Sequence, residues 1–370
     1  MTATNPVTSH PSPPGPAHGP AVAAPANGGP PARAVLFQMM SGYAVSQAIH
    51  VAVRLGVADL VHRGASTTTE LAAATGAHEQ SLHRLLRALV ALGILTEREP
   101  GRFGLTPLGQ PLRGDVPDSL RPHTILYCNE AGWQVWGQLL HSVTTGEPAF
   151  PFVHGTDGFS YLADKPYLSE AFNDTMAAET EIIGTGMVAA YDFSQFGTVA
   201  DVGGGNGALL SRVLTAFPTV RGILFDTAAG VEEAVKHLSD ADLSSRSTVV
   251  AGDFFESVPS GADAYLLKSV IHDWHDDRAR VILGNCRKAM SADARLLLVE
   301  VVLPATVSSP ALAPVLMSDL TMLVTTGGRE RTEEEFRTLL AGTGFKLTSV
   351  SAPFGPLQHR VIEARPTGTA

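Results

Sequence analysis

The residue most suited to proton chemistry is His272, in Leu267-Lys268-Ser269-Val270-Ile271-His272-Asp273-Trp274-His275-Asp276-Asp277. An imidazole titrates near neutral pH and suits a general base. Two later carboxylates fit a supporting role. Glu300 ends the apolar run LLLVE, and Glu330 lies in Gly327-Gly328-Arg329-Glu330-Arg331-Thr332, where paired glycines permit a close approach. A carboxylate accepting from one imidazole nitrogen fixes the tautomer and raises the basicity of the other. His272-x-x-His275 with Asp276 and Asp277 could be taken for a metal site. No Cys/His cluster completes it, and the two acids read as the start of a helix.

A second constellation is Asp201-Val202-Gly203-Gly204-Gly205-Asn206-Gly207, between the run TVADV and the amphipathic stretch ALLSRVLTAF. Glycines there let the backbone turn sharply and approach a ligand closely. Gly203-x-Gly205-x-x-Ala208 satisfies a dinucleotide fingerprint. The acid at 201 with glycines at 203, 205 and 207 equally satisfies the loop of S-adenosylmethionine enzymes. The acid favours the second reading, because a carboxylate attracts a cationic methionine end and repels a pyrophosphate. Asp226 ends the next run, GILFD, where an acid can accept from both ribose hydroxyls of either cofactor. Asp253-Phe254 follows the third run: its carboxylate can bind an adenine amino group and its ring can cover the base.

Several elements must position these groups. From about residue 196, TVADV, GILFD, STVVAG, DAYLLK and RLLLVEVV alternate with helical stretches or turns, which predicts a doubly wound α/β domain. Catalytic groups of such sheets lie at the carboxyl ends of the strands. FKLTSVSA and LQHRVIEAR predict a closing antiparallel pair. Residues 66–113 read as helix, turn, helix and a two-stranded wing. Thr67 and Glu70 have capping-box spacing, Gly76 ends the first helix, and ILTERE and RFGLT flank Pro100-Gly101. A nearly all-round apolar helical segment, about 35–62, needs a covering surface from its own domain or from a partner chain. Helical material continues to about 190, broken by a loop at TTGEPAFPFVHG. Residues 1–33 are rich in Pro, Ala and Gly and read as a disordered tail.

These segments, in this order, resemble the plant-type small-molecule O-methyltransferases and their bacterial natural-product relatives. The resemblance spans about 35–366 and is carried by DVGGGNG, GDFFESVP, LLKSVIHDWHDD, LLLVEVVLP and GGRERTEEEF. It implies a helical dimerisation and substrate-wall domain with a winged-helix core at 34–190, and a Rossmann-like catalytic domain at 191–370. It implies S-adenosylmethionine contacts at Asp201, Gly203, Gly205, Asp226, Asp253, Phe254 and Lys268, and His272 as base, positioned by Glu300 and Glu330. Phe172, Asn173, Met176 and Met322 would line the substrate pocket, with Trp133 a looser addition. The implied partners are a small aromatic substrate and a second copy of the chain.

Composition excludes several other classes. Lys+Arg is 26 against Asp+Glu 36, a net charge of -10, which disfavours binding to a phosphate backbone. A DNA-binding regulator built on the winged helix, with His83, Arg84 and Arg87, is the competing class. A nicotinamide-dependent dehydrogenase shares the glycine loop, and some bacterial relatives bind S-adenosylmethionine yet decarboxylate or hydroxylate. No run of about 18 apolar residues predicts a membrane span. Two cysteines, Cys128 and Cys286, without metal or disulfide spacing predict a reducing, cytoplasmic setting.

Overall fold

A computed structural model describes residues 31–368. The tail reading therefore lies, through residue 30, outside the described residues, and helix α1 (Ala32–Met40) already begins inside its last positions. The chain divides into two compact units at Ala48/Ile49, inside α2 (Gly42–Arg54). In the first unit, α1 buries none of its residues. Leu36, Phe37, Met39 and Met40 stand exposed there. The segment 35–62 is three helices rather than one. Ser41 separates α1 from α2, and Gly56, in the left-handed region at φ +64°, turns the chain into α3 (Val57–His62). A left-handed residue cannot propagate a right-handed helix.

The second unit begins with the winged helix. α4 (Thr68–Thr75) carries the expected capping box between Thr67 and Glu70, and left-handed Gly76 ends it. α5 (Glu79–Ala91) buries Leu82, Leu86 and Leu89 against Leu71, Ile94 and Phe103. The wing is β1 (Leu95–Glu99) paired antiparallel with β2 (Arg102–Leu105). Six helices follow: α6 (Arg121–Tyr127), α7 (Glu130–Trp136), α8 (Leu139–Thr145), α9 (Ala149–His154), α10 (Gly158–Ala163) and the 25-residue α11 (Pro166–Ala190). The expected loop at TTGEPAFPFVHG shrinks to the three residues between α8 and α9. AFPFVH is helical because Pro151 falls in the first turn, where its missing N–H costs nothing, and Phe150 packs in a core with Val135 and Val324.

The sheet is built from β3 (Thr198–Val202), β4 (Arg221–Asp226), β5 (Ser247–Ala251), β6 (Ala264–Lys268), β7 (Arg295–Leu303), β8 (Arg331–Thr332), β9 (Phe345–Val350) and β10 (His359–Pro366). Its order is β5-β4-β3-β6-β7-β10-β9, with β8 extending beside β7. β3 to β7 are parallel, and β10 is antiparallel to both β7 and β9. α12 (Ala208–Ala216), α13 (Ala234–Asp240), α14 (Asp276–Ala289), α15 (Ala313–Thr325) and α16 (Glu333–Ala341) complete the chain. One face of the sheet packs Leu266, Leu297 and Val299 with Met187 and Leu210; the other packs Leu267, Leu296 and Leu298 with Ile282 and Phe336. Strand order reverses between β3 and β6, which opens a crevice at their carboxyl ends. Both chemical constellations border that crevice. Glu300 lies inside β7 rather than at its end, because β8 pairs with Val302 and Leu303 and prolongs the strand.

Candidate active site

The glycine loop leaves β3 with Gly203, Gly205 and Gly207 all at positive φ (+75°, +54° and +82°). A side chain at Gly203 would meet Val270 and Phe254, one at Gly204 would meet Leu224 and Asp201, and one at Gly205 would meet open space. The Asp226 carboxylate staples the loop: Oδ2 accepts from the Gly205 N–H (2.8 Å) and Oδ1 from that of Thr227. Each oxygen keeps a lone pair for a diol. Asp253 Oδ1 accepts from the Phe255 N–H at 2.7 Å. Buried Asn285 of α14 donates to the carbonyls of Phe254 and Phe255. Phe254, Phe255 and Trp274 pack edge to face, with the Arg278 guanidinium 3.6 Å from the Phe255 ring centroid.

Asp201 is buried, and its Oδ2 has no hydrogen-bond partner among the described residues. Burial raises its pKa to about 7 against the opposing pull of Lys268. The Lys268 ammonium donates to Thr180 Oγ1 of α11 at 3.1 Å. Burial lowers its pKa, while Glu179, Asp201, Glu300 and Asp273 oppose that shift. A buried carboxylate with one unpartnered oxygen beside an open glycine turn could accept from a ligand ammonium and would disfavour a pyrophosphate.

Lys268 leads into the histidine segment through Ser269, whose φ of +54° is uncommon for a residue with a side chain. Glu300 accepts from the N–H groups of Val270 (3.2 Å) and Ile271 (2.8 Å), and so shapes the short 3-10 turn at Ile271–Asp273. His272 Nδ1 lies 3.1 Å from Glu330 Oε1 and 3.9 Å from Glu300 Oε2. A carboxylate only accepts, so Nδ1 keeps a proton, and in the neutral ring Nε2 is the nitrogen that can take one up. Nε2 is 3.8 Å from Asp273 Oδ1. Burial disfavours the imidazolium, but Glu330, Glu300 and Asp273 outweigh it and raise the His272 pKa to about 10. Burial raises Glu300 to about 7, with His272 opposing. Donor atoms of His272, Glu300 and Glu330 lie within 4.8 Å of one another, so the trio could also accept a cation. The 3.1 Å contact is the length of a direct hydrogen bond.

The expected pocket residues fall on three helices. Phe172 and Met176 lie one turn apart on α11, and Thr180, which meets Lys268, lies one turn further along the same face. Phe172 packs edge to face with Phe159 of α10. Asn173 is exposed on the neighbouring face. Met322 is one turn beyond Ser318 on α15, and Ser318 contacts Glu330. Trp133 is on α7, which packs against α15, and is 40% exposed.

Three residues that the motif reading left without a role hold the histidine turn. Arg331 is fully buried. It donates to the carbonyls of Ile271, Trp274 and Arg329 and twice to Asp276 Oδ1. The Arg329 N–H donates to the His272 carbonyl at 2.8 Å, and a side chain at Gly328 would strike that same carbonyl. Ser318 donates to Glu330 Oε1. Arg331 could have been suspected from its place beside Glu330 in GGRERT. Ser318 carries no sequence signal.

A carboxylate-bonded imidazole at the switch point of a Rossmann-like sheet, beside an acid-glycine loop, fits the class of enzymes that pair a nucleotide cofactor with a proton-accepting side chain. Family models described as an O-methyltransferase domain and an O-methyltransferase dimerisation domain match residues 136–346 and 37–113. The chain belongs to the S-adenosylmethionine-dependent O-methyltransferase family. It is 45% identical over 339 residues to a phenazine O-methyltransferase from Lysobacter antibioticus, covering 92% of this chain and 98% of that one. It is 45% identical over 334 residues to O-demethylpuromycin-O-methyltransferase from Streptomyces alboniger, covering 90% and 88%. Among solved structures it resembles an O-methyltransferase from neocarzinostatin biosynthesis, solved with S-adenosylmethionine and 2-hydroxy-5-methyl naphthoic acid. That match has a TM-score of 0.78 and 36% identity, and covers 87% of this chain and 96% of that one. The winged helix therefore falls within the region matched as an O-methyltransferase dimerisation domain, which does not favour the regulator reading. Among the described residues no helix is long and apolar enough to cross a membrane.

Proposed function

We propose that the enzyme methylates a phenolic hydroxyl of a small aromatic natural product, with His272 as general base. The carrying observation is the Glu330–His272 hydrogen bond, which leaves Nε2 basic on a turn whose Val270 abuts Gly203 of the cofactor loop. A phenol with a pKa near ~10 is mostly protonated at neutral pH and a poor nucleophile. The carboxylates around His272 raise its proton affinity, so the neutral imidazole is a stronger base toward a phenol than a free imidazole would be. Glu330 and Glu300 hold the ring and stabilise the imidazolium that forms. S-adenosylmethionine supplies an electrophilic methyl on a sulfonium.

Asp201 would receive the methionine ammonium, Gly203 and Gly205 would admit the nucleoside, and Asp226 would accept from the ribose. Asp253 and Phe254 would hold adenine, and Lys268 would border the methionine end. Phe172, Asn173, Met176, Met322 and Trp133 would line the acceptor pocket. Residues 34–190 serve dimerisation and substrate enclosure, and residues 191–370 bind the cofactor. The working form is a homodimer in the cytoplasm; a chain with only two cysteines and no metal or disulfide spacing suits a reducing compartment, and the acidic charge does not suit nucleic acid. The proposed transfer routes no step through a metal, because His272 itself takes the phenol proton. The test is incubation with S-adenosylmethionine and a panel of phenols, with and without EDTA, read by mass spectrometry. A gain of one methyl group, unaffected by EDTA, is expected. Turnover of the cofactor without a methylated phenol would overturn the proposal.

A further inference from the structure

We propose that Ser318 is a positioning residue of this reaction. Its hydroxyl fixes the plane in which the Glu330 carboxylate meets the imidazole and tempers the pull of the bonded oxygen on the imidazole proton. The inference rests on reading His272 as the base.

Helix α15 itself provides the contrast. The hydroxyls of Thr321, Thr325 and Thr326 all donate to carbonyls one turn back in their own helix, at 2.9, 2.6 and 3.2 Å. That is the default for such residues inside helices. Ser318 on the same helix instead donates to Glu330 Oε1 at 3.0 Å. The next residue, Asp319, accepts from the Glu330 N–H at 2.9 Å. Two consecutive residues of one helical turn thus hold the side chain and the backbone of Glu330.

The oxygen that Ser318 reaches is the one bonded to His272 Nδ1. Glu330 Oε2 is buried and has no partner among the described residues. Because the two carboxylate oxygens are equivalent, what the paired donors fix is the plane of the group: tilting it would carry the bonded oxygen away from the hydroxyl and the imidazole together. The hydroxyl also draws charge from the oxygen that attracts the imidazole proton. The charged and titratable groups around the pair are Glu300 on β7, Asp273 on the 3-10 turn, Lys268 on β6, Arg331 on β8, Asp319 on α15 and His359 on β10. Among the described hydrogen bonds, none of these groups other than His272 donates to Oε1.

The experiment uses the full-length enzyme and a phenol it methylates. It compares Ser318→Ala, Ser318→Thr, His272→Ala and the Ser318→Ala/His272→Ala double variant. The readouts are kcat, KM, the pH dependence of kcat/KM, and calorimetric binding of S-adenosylhomocysteine. Ser318→Ala is expected to lower kcat about tenfold, the usual scale for a hydrogen bond to a charged group. It should leave cofactor affinity within about twofold and move the acid limb up by about half a unit. Ser318→Thr restores most of the rate, and in the His272→Ala background the second change adds nothing. Wild-type kcat and limb in Ser318→Ala, in an enzyme that His272→Ala disables, would overturn the role of Ser318 alone. So would an undiminished loss in the double variant. Full activity of His272→Ala would overturn the base reading itself.

Discussion

The two halves of the site are built by opposite means. The cofactor half is mainly local: one loop of seven residues turns because its glycines occupy the left-handed region, and a neighbouring strand end staples it through Asp226. The histidine half is assembled from distant stretches. Glu300 shapes the turn from β7, Glu330 and Arg331 clamp it from beyond α15, and Ser318 braces the clamp. The first half is defined by where side chains are absent, the second by buried charges that compensate one another. The loop's shape is set by its backbone, so it tolerates truncation of a flanking side chain, although a side chain added at Gly203 or Gly204 would collide with Val270 or Leu224. A buried charge network does not tolerate truncation, because removing one member leaves the others unpaired.

The largest expected effect is therefore in the histidine half. His272→Ala should lower kcat by about 10²–10⁴-fold, the usual worth of general-base assistance. Binding of S-adenosylhomocysteine by calorimetry should remain within about threefold. Comparable losses in both measurements would erase the division between the halves.

Arg331→Leu comes next. The guanidinium is fully buried and holds the carbonyls on either side of the His272–Asp273 pair. Its removal leaves those carbonyls and Asp276 without their donor. A loss of about 3 kcal/mol in unfolding free energy is expected, read by urea denaturation, with kcat falling by more than the cofactor affinity. An unchanged denaturation midpoint would show the clamp to be dispensable.

In the cofactor half, Asp226→Ala should raise the Kd for S-adenosylmethionine about tenfold to a hundredfold, the scale of hydrogen bonds to a carboxylate. At saturating cofactor, kcat should stay within about threefold. Isothermal titration against saturation kinetics separates the two. An unchanged Kd would mean that Asp226 serves only its Gly205 and Thr227 contacts.

The same division explains what could be read from the chain. Five parallel strands and the closing antiparallel pair follow from short apolar runs and turn residues, and the wing follows from Pro100-Gly101. The glycine loop and Asp226 were legible because contiguous spacing encodes a backbone shape. His272, Glu300 and Glu330 can be grouped as candidates by residue type and by their strand-end or glycine-flanked places, but sequence carries no mutual distances, and the resemblance supplied their roles as a base and two positioning acids. Ser318 and Arg331 went unread for lack of those distances. The helix at Ala149–His154 was hidden by its prolines, which the first turn tolerates. The breaks after α1 and at Gly56 were hidden by continuous apolar content.

The smallest expected effect probes the charge balance itself. Neutral His272 is the active form, and three carboxylates raise its pKa, so kcat/KM should climb with pH through the alkaline range toward a limb near 10. Asp273 is the third of these carboxylates, 3.8 Å from Nε2 and without the hydrogen bond to the ring that Glu330 makes. Asp273→Asn removes one charge that favours the imidazolium and keeps the side chain's shape. The proton affinity of His272 then falls, and the acid limb moves to lower pH by about half a unit. Initial rates across pH for both enzymes measure the shift. A limb that moves upward, or stays put while Glu330→Gln moves it down, would restrict the electrostatic tuning of the base to the carboxylate bonded to Nδ1.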